Sequence, residues 1–216
     1  MHFDGGKNST RFLEQNIHNS AYAIFDGDGY YDIPKLLPTH VENLENIPLQ
    51  GFNYALREKE PEKKGVHFFI HDYQFERVWK YPDRYTEVLK KFAYVLSPDF
   101  SCYGATAKAV NIFNTYRKNW CGRYWQEHGI LVIPTITWSN ERDIEYCMDG
   151  IPKHSTIAVS TVGYGRWANW DMLYEYWDYM LIKLEPDTIL LYGKDLRNTL
   201  SGNIIFKPYI TSKAEV

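Results

Sequence analysis

About seven short apolar runs, each ending in a polar residue or a break and most followed by an amphipathic segment, constrain this chain more than any other feature. They lie at residues 49–55, 66–72, 94–100, 130–138, 156–163, 188–193 and 204–207. Several are continuous rather than alternating, the pattern of strands covered on both faces. Between them, Tyr85, Val88, Leu89 and Phe92 follow Pro82 at helical spacing, and Ala105, Ala109, Phe113, Tyr116, Trp120 and Tyr124 run to a stop at Gly129. A third helix is expected from an N-cap at Asn169 through Trp170, Leu173, Trp177, Met180 and Leu184, halted by Pro186.

Right-handed crossovers make strands joined by such helices parallel. The expected class is therefore α/β: a parallel, barrel-like sheet with surrounding helices, TIM-barrel-like and complete or incomplete. An open doubly wound sheet is the alternative, although no glycine-rich phosphate loop follows the first strand. Pro134 marks a strand end or bulge, and residues 140–148 read as helical. Residues 1–44 form an N-terminal extension packing on a single α/β domain of residues 45–216. Within the extension, Asp26-Gly27-Asp28-Gly29 is read as a turn, since the distal glutamate of a calcium loop is missing. The charged stretch 57–64 is a solvated loop or a gate.

In either architecture ligands bind beyond the carboxyl ends of the strands. Collecting the residues there gives Asn53, Tyr54, His71, Asp72, Ser97, Asp99, Thr137, Trp138, Ser160, Thr161, Tyr192, Gly193 and Lys207. Asp72 and Asp99 are candidate catalytic residues, because two carboxylates near one another are driven apart in pKa and divide acid and base roles. The alternative is that each caps the turn that follows it. Asn114, Arg117 and Arg123 belong to a dense polar and aromatic stretch of the second helix, where an arginine could grip phosphate or carboxylate, or form an exposed face over packed rings.

Composition removes some classes. The net charge of −3 lacks the basic footprint of a protein that coats nucleic acid. Cys102, Cys121 and Cys147 are odd in number and widely spaced, as expected of reduced thiols. His67, His71, His128 and His154 show no metal-ligand spacing, so no metal or cofactor is expected. The start of the chain has no signal-like apolar stretch and no run is long enough for a membrane span, so a soluble, cytoplasmic protein is expected. Aromatic residues make up 17% of the chain, a surplus suited to lined pockets and contact surfaces as well as cores.

Several motifs occur in a characteristic order: His71-Asp72-Tyr73-Gln74-Phe75-Glu76-Arg77-Val78-Trp79, Leu96-Ser97-Pro98-Asp99-Phe100-Ser101, Asn114-Thr115-Tyr116-Arg117, Gly122-Arg123-Tyr124-Trp125, Ile133-Pro134-Thr135, Asp149-Gly150-Ile151-Pro152 and Ser160-Thr161-Val162-Gly163. This set resembles domain-of-unknown-function family 4417 of phage and mobile-element proteins, over roughly residues 45–210. The resemblance implies a genomic context and gives added weight to Asp72, Asp99, Asn114, Arg117 and Arg123. A looser similarity links the strands and Leu191-Tyr192-Gly193 to base-exchanging barrels.

Two functional classes follow. One is an enzyme acting on a nucleotide, nucleoside or nucleic-acid base, with catalytic Asp72 and Asp99. Its binding residues are Asn53, Asn114, Arg117, Arg123, Thr137, Trp138, Ser160, Thr161 and Tyr192. The other is a non-catalytic binder that sequesters a small ligand or blocks a host protein through its aromatic surface. Direct nucleic-acid binding would require a continuous basic groove.

Overall fold

A computed structural model describes Asn19, residues 22–164 and residues 170–209. The architecture is mixed α/β, built on two four-stranded parallel sheets and a short antiparallel hairpin, β1 (Gly27–Asp28) with β2 (Ile33–Pro34). The first parallel sheet runs in the order β3 (Leu49–Gly51), β4 (Gly65–His67), β5 (Tyr94–Leu96), β6 (Val132–Ile133). The second runs β7 (Thr135–Ile136), β8 (Thr156–Ser160), β9 (Thr188–Gly193), β10 (Ile204–Pro208).

Pro134 alone separates β6 from β7. It has no N–H for a ladder and interrupts the pairing there, so one sheet ends and the other begins on a single extended stretch. Strand order then follows chain order across both sheets, without the reversal of a doubly wound sheet. Among the described residues no backbone ladder joins β3 to β10, so no closed barrel is formed.

The sheets nevertheless curl toward each other. The rings of His67 on β4 and Tyr192 on β9 have centroids 4.5 Å apart, and Phe69 stacks on Tyr192 at 5.1 Å. In a flat sheet, four strand spacings would put β4 and β9 roughly 19 Å apart. Inside the curl, Leu49, Tyr94, Leu96, Ile133, Ala158 and Leu190 form one apolar cluster, plugged from below by Leu44. Gly65 makes room for it: a Cβ there would lie 2.2 Å from the Tyr94 ring. Between β10 and the segment leading into β3, the Lys207 ammonium donates to the carbonyls of Glu45 at 2.9 Å and Ile47 at 2.8 Å. That side chain spans the seam where no ladder exists.

The alternate strand positions, including Val66, Val95, Val132, Ile157 and Leu191, belong to a second, larger core beneath the helices. These are α1 (Glu76–Lys80), α2 (Pro82–Leu89), α3 (Lys108–Glu127) and α4 (Trp170–Leu184). Trp120, Trp125, Leu173 and Trp177 supply much of its bulk. Burying one large apolar side chain contributes about 1.5–3 kcal/mol, so this layer dominates cohesion. Gly129 ends α3 with φ of 80°. The expected N-cap Asn169 lies outside the described residues.

Local structure departs from the pattern reading in several places: Ala105 lies in a turn ahead of α3, and the runs at 66–72 and 94–100 are strand only to His67 and Leu96. The run at 49–55 is strand only to Gly51, after which Phe52–Arg57 forms a 3-10 helix that buries Phe52 and Ala55 three residues apart. Residues 141–145 are likewise 3-10, opened by a capping box between Asn140 and Asp143.

The described part of the extension crosses α3 and reaches the start of β8. Asn119 donates to Pro34 O at 3.2 Å and Trp120 Nε1 to Ala23 O at 3.1 Å, while Thr156 N donates to Thr39 O at 2.8 Å. The Asp-Gly segment makes the β1–β2 hairpin, where Asp28 accepts from Gly150 N at 2.9 Å. Among the described residues no helix is long and apolar enough to cross a membrane, and no cluster of three or more His, Cys, Asp or Glu is arranged to hold a metal ion.

Candidate functional site

The carboxyl ends of β3, β4, β5, β7, β8, β9 and β10 surround a cleft of about 1020 Å³. Its lower wall is the inner face of the curl, where His67, Phe69 and Tyr192 meet. Its rim carries the exposed rings of Tyr54, Tyr103 and Tyr209.

Asp99, three residues beyond β5, is the one carboxylate among the described lining residues, and none of those residues is Lys or Arg. Part of its surface opens to the cleft, but protein encloses it on the other sides, and this burial pushes its carboxyl up to about 6. The Asp72 charge pushes the same way. The Thr137 hydroxyl, which donates to Asp99 Oδ1, and the Lys118 ammonium, on a buried residue of α3, oppose it. Tyr164 also lines the cleft, and burial reinforced by the Asp99 charge raises its phenol.

Three polar atoms in the wall are buried without a partner, Gln50 Nε2 among them. Trp138 is 3% exposed and its Nε1–H finds no acceptor; Asn53 Oδ1 finds no donor. Buried polar groups are nearly always satisfied by protein or water, so such atoms in a cleft wall are places where a ligand gains hydrogen bonds. Beside Asn53 lies His67, 5% exposed, whose imidazole is driven down to about 3 by burial and is therefore neutral. Its Nδ1 accepts the Phe69 backbone N–H at 3.1 Å, which puts the ring proton on Nε2. Gly51 permits the two to adjoin: a Cβ there would lie 2.4 Å from Asn53 Oδ1 and 3.6 Å from His67 Cε1.

Of the residues singled out in the sequence, Asn53, Tyr54, His71, Asp99, Thr137, Trp138, Ser160 and Tyr192 border this cleft. The others do not. Asp72 accepts from Ser101 N at 3.1 Å and Ser101 Oγ at 2.7 Å, so both of its oxygens hold the loop after β5. Asn114 donates to Ser101 O at 2.6 Å on the same loop. Arg117 pairs with both oxygens of Glu76 at 2.8 and 2.9 Å and lies 3.8 Å over the Phe100 ring. Arg123 bonds Glu127 and, at 3.3 Å, Lys35 O in the extension. Thr161 accepts from Lys194 N at 2.6 Å and donates to Tyr192 O at 3.2 Å, in a small neighbouring hollow.

The polar density of α3 thus has an architectural cause. Its Asn111 and Asn114 satisfy backbone groups of the Ser101–Tyr103 loop, and Asn119 those of residues 34 and 149. The loop they fix contributes Ser101, Cys102 and Tyr103 to the cleft. Cys102 is no nucleophile in this setting, since burial pushes its thiol up to about 12. His67 was passed over in the sequence because it lies inside its strand; only the inward parity it shares with Gly65 could have marked it. The charged stretch 57–64 does not border the cleft.

This parallel α/β fold with a strand-end cleft belongs to the family described as domain of unknown function (DUF4417), whose model matches residues 25–209. The chain is similar to phage proteins. It is 37% identical to the Gene 1 protein of Mycobacterium phage L5 over 175 residues, 79% of this chain and 74% of that protein. It is 36% identical to the Gene 1 protein of Mycobacterium phage D29 over 143 residues, 64% of this chain and 51% of that protein, so it spans about half the D29 relative. No solved structure matches the chain.

Proposed function

We propose that the curled sheets act as an incomplete TIM-barrel-like scaffold whose cleft binds a nucleic-acid base or nucleoside, with Asp99 exchanging a proton with it. The observation that carries this reading is the placement of one carboxyl, titrating near 6, within an aromatic cleft at the strand ends. Rings such as Trp138, Tyr164 and Tyr192 suit a planar heterocycle, and the polar atoms among them suit its edge.

The chemistry this arrangement supports is cleavage or exchange of a glycosidic bond. The C1′–N bond breaks with its electron pair passing to the base, the Asp99 proton neutralises the departing nitrogen, and water or a second base adds to C1′. The proton that the entering group loses returns to the carboxylate. A carboxyl near 6 is protonated often enough to act as the acid and ionised often enough to act as the base. In this reading Asp99 works without a second carboxylate in the cleft, and Asp72 serves it by holding the Ser101 loop. Arg117 and Arg123, engaged elsewhere, are not assigned to phosphate.

The test is binding of free bases, nucleosides and nucleoside monophosphates by thermal shift, followed by chromatography for released base, on the wild type and Asp99→Asn. Binding by both proteins with turnover only by the wild type is expected. Absence of any stabilisation sinks the reading. A second reading, a non-catalytic binder that blocks a host protein, is favoured by the exposed rings of Tyr103 on the rim, 58% exposed, and of Tyr73, 79% exposed, which stacks on the cleft-lining His71. Ligand binding without turnover would leave that reading or simple sequestration.

A further inference from the structure

Resting on the reading of the cleft as a base site, we propose that the Asn53–His67 corner selects bases carrying a lactam edge, a ring carbonyl beside a ring N–H. Hypoxanthine, guanine and uracil have such an edge; adenine and cytosine present an amino group where the carbonyl stands. The argument is one of donor and acceptor polarity. His67 Nδ1 is committed to the Phe69 N–H at 3.1 Å, and no partner is found for Nε2 among the described residues. The imidazole therefore offers the cleft a donor. It has no free nitrogen with which to accept.

A neutral histidine usually adapts to its ligand by exchanging tautomers. This one cannot do so without leaving the Phe69 N–H unpaired in a buried position, and an unmet buried donor is costly. The ring is also held in place, with Tyr192 at 4.5 Å on one side and Phe69 at 5.6 Å. Adjacent to it, Asn53 Oδ1 is buried with no donor. Over the bare Cα of Gly51 the wall thus presents a fixed donor next to an unmet acceptor. A lactam matches this pair in polarity, its carbonyl taking the His67 proton and its N–H meeting Asn53. An exocyclic amino group would set hydrogen against hydrogen at His67.

The comparison uses pairs that differ only at this edge: inosine against adenosine, and uridine against cytidine, titrated by calorimetry and thermal shift on the intact chain. The expected result is that the wild type binds the lactam member of each pair at least about tenfold more tightly, since sites built around a hydrogen bond reject the mismatched analogue strongly. His67→Leu is expected to reduce that preference to less than about twofold. Equal binding of the two members by the wild type overturns the lactam assignment and leaves the base site standing. Retention of the preference in folded His67→Leu removes His67 from the assignment. Failure of all four nucleosides to bind overturns the base site itself, and the assignment with it. Because the wild-type ratios suffice, the proposal can be refuted even if His67→Leu fails to fold.

Discussion

Thr137 donates its hydroxyl hydrogen to Asp99 Oδ1, joining the end of β7 to the loop after β5 across the mouth of the cleft. The bond favours the carboxylate over the acid, against the enclosure that favours the acid. In the folded chain Asp99 titrates near 6, above its ordinary 3.8. Between those values the native state holds more protons than the unfolded state. The contribution of this group to stability is therefore complete below about pH 4, declines as pH rises through 6, and is flat above. Relative to wild type, Asp99→Asn should gain about 1–3 kcal/mol between pH 4 and pH 7.5. Urea unfolding at both pH values measures it. Thr137→Val should move the Asp99 midpoint upward from 6, read directly by carboxyl NMR titration.

Asp72 acts through the loop that Ser101 begins, so its removal should be felt at a distance from itself. Asp72→Ala should cost about 1–2 kcal/mol, or roughly 2–8 °C in Tm for a chain of this size, since two hydrogen bonds to one anchor are lost. Nucleoside affinity should fall with it as Tyr103 loses its position. Asp72→Asn, which keeps an acceptor for Ser101, should lose less of both. If Asp72→Ala leaves stability unchanged, the loop is held by Asn114 and Asn111 alone.

The Arg117–Glu76 pair is half sheltered, with the two side chains 12% and 32% exposed, and the guanidinium covers Phe100. Removing the arginine leaves a carboxylate facing an apolar wall. Arg117→Ala should destabilise by about 2–3 kcal/mol, while nucleoside affinity stays within about twofold. Glu76→Gln should cost less, because the amide keeps one acceptor for the arginine. An affinity loss in Arg117→Ala larger than its stability loss would return the arginine to the ligand.

Lys207 tests the seam. Replacing it by Met keeps the stem but strands the carbonyls of Glu45 and Ile47. A loss of about 1–2 kcal/mol is expected, the cost of the unmet acceptors being partly offset by relief of a buried ammonium whose pKa burial has lowered. Hydrogen exchange provides the sharper readout. Amides of residues 45–51 and 204–208 should exchange faster than in the wild type while those of β5 and β8 do not, and a uniform change would remove Lys207 from the seam.

Much of the scaffold was legible because its causes are local. A continuous run such as 188–193 is apolar on both faces, and only a strand covered on both sides needs that; Pro134 announces a break because it lacks an N–H wherever it stands. The end of α3 at Gly129 is equally local. Asn114, Arg117 and Arg123 were harder to read. An asparagine that holds a loop and one that holds a ligand have the same one-letter neighbours, and only the loop's path separates them.

By itself, then, the sequence determined the parallel α/β class, the strand that Pro134 breaks, and the face on which Asp99, Thr137, Trp138 and Tyr192 would gather, because hydrophobic period and backbone chemistry act within a few residues. Tertiary structure alone decided the rest. The curl that brings His67 to Tyr192, the seam bridged by Lys207, and the diversion of Asp72 and Arg117 from the cleft to Ser101 and Glu76 all join residues distant in the chain. In each case the deciding quantity is which partner lies within about 3 Å, a distance set by packing.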